Sequence, residues 1–464
     1  MFTIEEIAAA TNGRATGASV GSVDAVSTDS RTVAPGQLFV PLRGERFDGH
    51  AFLADVAARG VTVLLAEDHW LKGHSLPETV TCIAVKNTLR ALGDLAAAWR
   101  LRFDIPAIAV TGSNGKTTVK EMLATILEQT GAGLKTQGNL NNLIGLPQML
   151  FQLRPEHGWA VLEMGMSEPG EIDRLAEIAR PQTGIVLNAL PAHLQSMGTV
   201  EAVAAAKGEL LNRISDNGLA VVNADDPRVA SLHQNPSARR ISFGVNRGEV
   251  RARDIELLGL SGQRFLLITP KGETTIHLKA CGRHNIYNAL AATAALLDRV
   301  DLDVIATGLE SFTPYKGRFQ AEQLDGITII DDSYNANPSS VKAALETLSQ
   351  VAQEGHRIAV LGDMLELGGH EAQAHQAIGA VAGKNADRLY LLGDLMTRHA
   401  AENARLSGMP PEAVTCCTDH EQIARKLYDS LRENDVILVK GSRGMTMERV
   451  ATELKKLMQH GKEE

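Results

Sequence analysis

Little in this 464-residue chain points to an oxidising compartment or a membrane. It has four cysteines, Cys82, Cys281, Cys416 and Cys417, and none lies at metal-ligand spacing. Two are sequence neighbours, which suits reduced thiols better than a disulfide framework. No apolar run approaches the ~20 residues that span a bilayer. The first residues, Met1 to Ile7, are acidic and lack the apolar stretch of a signal peptide. A cytoplasmic location and no membrane partner are therefore expected. Positive charge is also in deficit: 46 Lys and Arg against 55 Asp and Glu leave a net charge of −9. That argues against a non-specific nucleic-acid surface. Internal repeats and low-complexity segments are missing. What remains is globular in type, 44% hydrophobic and 22% charged, and long enough for two to four domains.

The most informative stretch is 105–123. A short apolar run at 105–110 reads as a buried parallel strand. Thr111-Gly112-Ser113-Asn114-Gly115-Lys116-Thr117-Thr118 follows, and then Met122, Leu123, Ile126 and Leu127 recur at helical spacing. Strand, glycine loop and helix together make a phosphate cradle. The glycines let backbone N–H groups approach phosphate oxygens, and the helix start adds its dipole. Lys116 can reach terminal phosphates, and the Thr117 hydroxyl can take Mg²⁺. The pattern departs from G-x-x-x-x-G-K-S/T, because the first glycine position is Val110 and Gly112 lies two residues nearer the lysine.

Residues 1–84 read as a small α/β domain, with strands at 38–41, 61–66 and 82–85. Between them lie polar and glycine positions: Asp29, Ser30, Arg31, Gly44, Asp48, Gly49 and His50. They are either turns and caps or a site for an anionic ligand, with Arg31 and His50 as phosphate partners. A helix over 87–102 leads into the phosphate loop, so a boundary is placed near 85.

From 85 to 313 the strand–helix alternation is that of a doubly wound parallel sheet, with strands at 105–110, 159–164, 183–188 and 219–223. Ligands in such sheets bind beyond the carboxyl ends of the strands. Glu163, Asn188 and His193 fall there, and Glu163 is placed to hold Mg²⁺. Asn139 and Asn141 belong to a polar loop that is either a turn or a set of amide contacts to ligand. Lys207 lies on an alanine-rich helix, where composition alone reads it as solvated. Runs at 263–269 and 274–278 signal a hairpin about Pro270-Lys271-Gly272. Asn285 and Asn288 share one face at a helix start, to bind a base edge or to cap the helix.

Residues 314–464 repeat the rhythm, with strands at 327–331, 357–362, 388–392 and 435–440. Their junctions carry Asp331-Asp332-Ser333-Tyr334-Asn335-Ala336-Asn337-Pro338, a Leu361–Gly368 loop and Lys440-Gly441-Ser442-Arg443-Gly444. No G-x-G-x-x-G occurs in this region. A hinge is expected at 314–318.

Thr-Gly-Ser-Asn-Gly-Lys-Thr-Thr, Leu-Glu-Met-Gly, Asn188 with His193, Ala-Lys-Gly-Glu around Lys207, His-Asn-x-x-Asn-Ala and Asp-Asp-Ser-Tyr-Asn-Ala-Asn-Pro together resemble the Mur ligases of peptidoglycan synthesis. Their order covers nearly the whole chain. The resemblance implies an α/β protein of three domains: a UDP-substrate-binding domain at 1–84, an ATP-binding phosphate-loop domain at 85–313 and a Rossmann-like domain at 314–464. It implies an ATP-dependent amide-bond ligase acting through an acyl phosphate. The last motifs point to UDP-MurNAc-tripeptide and D-alanyl-D-alanine as partners, and a monomer is expected. Gly112 to Thr118 would wrap the ATP phosphates, with Asn285 and Asn288 at the adenine and Arg318 and Asp331 near the nucleotide. Thr117 and Glu163 would ligate one Mg²⁺, and His193 a second. Lys207 matches a carbamylated lysine, a metal or phosphate partner made with CO₂. Asp29, Ser30, Arg31, Gly44, Asp48, Gly49 and His50 would hold the UDP end. Asn139, Asn141, Asn335 and Asn337 would serve the remaining substrate groups. A folylpolyglutamate synthetase would share the loop and the bond chemistry, but its substrate loops differ from Asp29-Ser30-Arg31 and Asp48-Gly49-His50.

Overall fold

The computed structural model describes residues 1–464 apart from 18–20, 45, 46, 193, 352, 353 and 461–464. The chain divides into two compact units. One comprises Met1–Ala109, Gly131–Met166 and Gly170–Gln182, the other Val110–Thr130, Ser167–Pro169 and Thr183–Glu464.

The first unit is built on a five-stranded sheet in the order Arg14–Thr16, Thr81–Val85, Val63–Glu67, Gln37–Phe39, Ala25–Ser27. Only the Arg14–Thr16 edge runs antiparallel. The two five-residue strands are buried throughout, as apolar runs in parallel sheets are. The helix Ile4–Thr11 starts with a capping box between Thr3 and Glu6. The expected helix over 87–102 is Thr88–Arg100, with Asn87 as its N-cap. The same unit contains the parallel pair Ala160–Glu163 and Leu134–Lys135.

The second unit contains three parallel strands, Thr183–Val186, Leu219–Asn223 and Arg239–Phe243. It also has a six-stranded sheet in the order Gln320–Leu324, Ile327–Asp331, Val436–Lys440, Arg357–Gly362, Arg388–Leu392, Val414–Cys417. All neighbours in the latter run parallel except the Gln320–Leu324 edge. Apolar clusters cover both of its faces, one around Leu345 and Leu361, the other around Ile358 and Leu454. Such a sheet directs its functional loops to the carboxyl ends of its strands.

Several strands are absent from the sequence reading, among them Arg239–Phe243, Arg251–Leu257 and Gln320–Leu324. The latter two are mostly polar and exposed edge strands, so neither carries an apolar run to announce it. Arg251–Leu257 joins the predicted hairpin, Gln263–Thr269 and Gly272–Leu278, as a third antiparallel strand with an irregular register between Arg253 and Glu256. Among the described residues, no helix is long and apolar enough to cross a membrane.

Candidate active site

The phosphate loop opens the helix Lys116–Leu127, and Gly115 is its N-cap with φ of +88°. A side chain there would be strained, and its Cβ would lie 2.4 Å from Asn288 Oδ1. Glycine thus lets Asn288 of the helix Arg283–Leu296 press against the loop. The loop is held from a second side by Asn188. Its carbonyl accepts from Ser113 N–H at 3.1 Å, its Oδ1 accepts from Asn114 N–H at 2.9 Å, and its Nδ2 donates to Asn114 O at 3.1 Å. The Ser113 hydroxyl donates to Leu190 O at 3.0 Å and accepts from Leu190 N–H at 2.9 Å. Lys116 Nζ folds back onto Gly112 O at 2.8 Å.

A cavity of about 420 Å³ opens beside this loop, within the size range of small-molecule sites. Asn114, Gly115, Thr118, Asn285, Asn288 and Arg318 all line it. Asn285 and Asn288 are buried, Asn288 Nδ2 donating to Asn285 Oδ1 at 2.9 Å and Asn285 Nδ2 to Cys281 O at 2.7 Å. Arg318 stacks its guanidinium on the Tyr334 ring at 4.0 Å and donates from Nη2 to Thr117 Oγ1 at 3.1 Å. Its buried Nε has no hydrogen-bond partner among the described residues.

Asp332, not Asp331, lines the cavity. Asp331 turns to the Ser333 hydroxyl at 2.5 Å and the Ser333 N–H at 3.0 Å. Successive residues at a strand end face opposite ways, so one position decides which carboxylate enters. Asp332 pairs at 2.6 Å with the buried Lys440, which also donates to Asn335 O at 3.0 Å. Burial lowers the Lys440 pKa and the Asp332 charge opposes that shift. Lys440, Asp332 and Tyr287 are cavity residues that the sequence did not single out for a role. Tyr287 donates to Asp225 Oδ2 at 2.8 Å, and burial with the Asp225 carboxylate pushes its phenol up to about 12. Asn337 Nδ2 donates to Asn114 Oδ1 at 2.7 Å, whereas Asn335 is exposed and accepts from the Ala336 N–H.

Lys207 is 2% exposed on the helix Val200–Asn212. The solvated position expected from composition is therefore wrong for this residue. Burial lowers its pKa well below the usual lysine value, and the Lys116 cation adds to the shift. His193 lies outside the described residues.

The other predicted positions belong to the first unit. Glu163 is buried, accepting from Asn141 Nδ2 at 2.7 Å, with its N–H on Thr136 Oγ1 at 2.9 Å. Asn139 is exposed. Arg31 forms a forked pair with Asp29 at 2.9 and 2.7 Å. Ser30 follows Asp29 in the same turn, and Gly44 donates its N–H to Phe47 O at 2.9 Å. Gly49 is buried, donating to Leu42 O at 2.8 Å. His50 is fully buried: Nδ1 faces Asp48 Oδ1 at 2.6 Å and Nε2 accepts from Glu67 N–H at 3.1 Å. Nδ1 serves the turn and Nε2 ties it to the end of the strand Val63–Glu67, so both ring nitrogens are taken up within the protein.

Among the described residues, no three His, Cys, Asp or Glu side chains gather to hold a metal. Mg²⁺ commonly takes few protein ligands and completes its shell with phosphate and water. A loop hydroxyl at Thr117 fits such sparse ligation.

Residues 110–296 match the Mur ligase middle domain, 317–443 the Mur ligase glutamate ligase domain, and 22–100 the Mur ligase family catalytic domain. The UDP-N-acetylmuramoyl-tripeptide–D-alanyl-D-alanine ligase of Escherichia coli K12 is 37% identical over 460 residues, 97% of this chain and 98% of its own. A crystal structure of MurF from Acinetobacter baumannii superposes with a TM-score of 0.89 at 35% identity, over 98% of this chain and 99% of that one. MurF from Thermotoga maritima in complex with ADP gives 0.83 at 28%, over 94% and 98%.

Proposed function

The chain belongs to the Mur ligase family, and we propose that it joins D-alanyl-D-alanine to UDP-MurNAc-tripeptide at the expense of ATP. The observation that supports this reading is the phosphate loop, with Lys116 at its helix start, a cavity lined by Asn114, Gly115, Asn285 and Asn288, and the buried Lys207 near enough to Lys116 to feel its charge. We assign the substrate's UDP end to 1–84, ATP to 85–313 and the incoming dipeptide to 314–464.

A carboxylate does not acylate an amine in water, so the tripeptide carboxylate must first be activated. It attacks the γ-phosphorus of ATP, forming an acyl phosphate and releasing ADP. The dipeptide amine then attacks the acyl carbon. Phosphate leaves with one oxygen of the original carboxylate. Two anions meet in the first step, so the residues must cancel charge and fix geometry.

Lys116 supplies a mobile cation at the terminal phosphates, giving up Gly112 O as it extends. The loop N–H groups and the helix dipole hold the inner phosphates. Asn285 and Asn288 present amides to the base, and Arg318 reaches the loop from the 314–337 segment. Thr117 and Lys207 would hold Mg²⁺ in this unit, the latter as a carbamate, and Glu163 is assigned to Mg²⁺ by the family resemblance alone. When bound, the metal neutralises phosphate charge. Capture of CO₂ needs an unprotonated amine, and burial with the Lys116 charge shifts Lys207 toward that form.

Tripeptide substrate labelled with ¹⁸O in its terminal carboxylate tests the route. One label should appear in the released phosphate and one in the product amide. Unlabelled phosphate would exclude the acyl phosphate.

A further inference from the structure

The phosphate loop is joined to the start of the helix Pro338–Val351 by two side-chain amides. Asn337 Nδ2 donates to Asn114 Oδ1 at 2.7 Å, and Asn114 Nδ2 approaches Asn337 Oδ1 at 3.4 Å. Both residues are fixed from behind. Asn114 has its backbone N–H and carbonyl tied to the Asn188 side chain at 2.9 and 3.1 Å. Asn337 Oδ1 accepts from Ser340 N–H at 2.9 Å, and Asn337 N–H donates to Ser340 Oγ at 3.0 Å. That acceptance sets the orientation of the Asn337 amide: with Oδ1 used at the helix start, Nδ2 is the group turned to the loop.

Capping the helix needs only the Asn337 oxygen; serine or threonine does the same. The nitrogen is what a shorter cap lacks, and it goes to the phosphate loop. We propose that Asn337 is a positioning residue for that loop, holding Asn114 so that the adjoining backbone N–H groups are preset for phosphate. The inference rests on the nucleotide reading above. It makes the 331–337 junction part of nucleotide affinity, although its amide sits 223 residues from its partner in sequence.

The test is a double-mutant cycle on the full chain, with Asn337→Ser, Asn114→Ala and both together, read by calorimetric titration of ADP with Mg²⁺. Serine retains the helix cap; Asn337→Thr is the second variant if serine folds poorly. Each single change should weaken ADP binding about two- to tenfold, the net worth of one hydrogen bond. The double variant should be no weaker than the weaker single, because both remove one contact. A helix-capping role alone would leave ADP affinity at the wild-type value in Asn337→Ser. That result, or losses that multiply in the double variant, overturns the proposal. Wild-type protein that takes up no ADP would overturn the nucleotide reading itself, and this inference with it.

Discussion

Arg318 donates from Nη2 to Thr117 Oγ1 at 3.1 Å, bridging 201 residues of sequence, while its guanidinium sits over the Tyr334 ring at 4.0 Å. A planar fork can stack and donate at once, and a lysine ammonium cannot. Arg318→Lys should therefore lower kcat/KM for ATP by about tenfold or more, as losing a charge-assisted hydrogen bond does. Steady-state kinetics with ATP varied checks this. Wild-type values in that variant would remove Arg318 from the nucleotide site.

Lys116 opens the helix that follows the phosphate loop, and its Gly112 contact shows that it can lie along the loop. Lys116→Ala should cut phosphate release by roughly a hundredfold or more, the usual loss for a group that stabilises transition-state charge. The fold should persist, as judged by circular dichroism. Unchanged turnover would refute the phosphate-loop assignment.

Lys207→Ala should be inactive and partly rescued by short carboxylates such as acetate. Burial and the Lys116 cation set the Lys207 pKa well below 10.5. The neutral amine therefore exists at pH values where an exposed lysine is charged, and CO₂ capture is lost only as pH falls through the lowered value. Carbon-13 NMR with labelled bicarbonate should show a carbamate signal in wild-type protein and none in Lys207→Ala. A signal present in both would place the carbamate elsewhere.

Asp48 supports the turn around His50. Burial works to raise its carboxyl, but the His50 N–H, the His50 ring and Arg43 outweigh it and hold the pKa at about 2, down from 3.8. A carboxyl lowered on folding stabilises above its unfolded value and loses that contribution as pH falls through its folded value. Wild-type protein should thus lose stability between pH 3.8 and about 2 through this group. Asp48→Asn should show a smaller difference between thermal melts at pH 5 and pH 2.5. An equal difference in the two proteins would deny Asp48 this role.

Buried strands were legible because their apolar runs are local. Leu219–Asn223, Arg357–Gly362 and Arg388–Leu392 fall where the apolar pattern puts them. Exposed edge strands such as Gln320–Leu324 pair through backbone alone and carry no such pattern. The phosphate loop is legible for the same local reason: glycines, lysine and threonine sit within eight consecutive residues. The burial of Lys207 is not, since an alanine-rich helix gives no clue to which face is covered, and only the Ala-Lys-Gly-Glu resemblance marks the residue. Neither is the entry of Asp332 in place of Asp331, which turns on side-chain direction at a strand end. The contacts of Asn337 and Arg318 with the loop join residues more than 200 apart, and no window of sequence contains both partners.

The most direct test supplies purified protein with ATP, Mg²⁺, UDP-MurNAc-tripeptide and D-alanyl-D-alanine, and follows phosphate release together with product mass. The account predicts one phosphate for each UDP-MurNAc-pentapeptide formed, sustained turnover only with both acceptor and donor present, and none without ATP. Phosphate released at the same rate without the tripeptide, or with no pentapeptide formed, would contradict it.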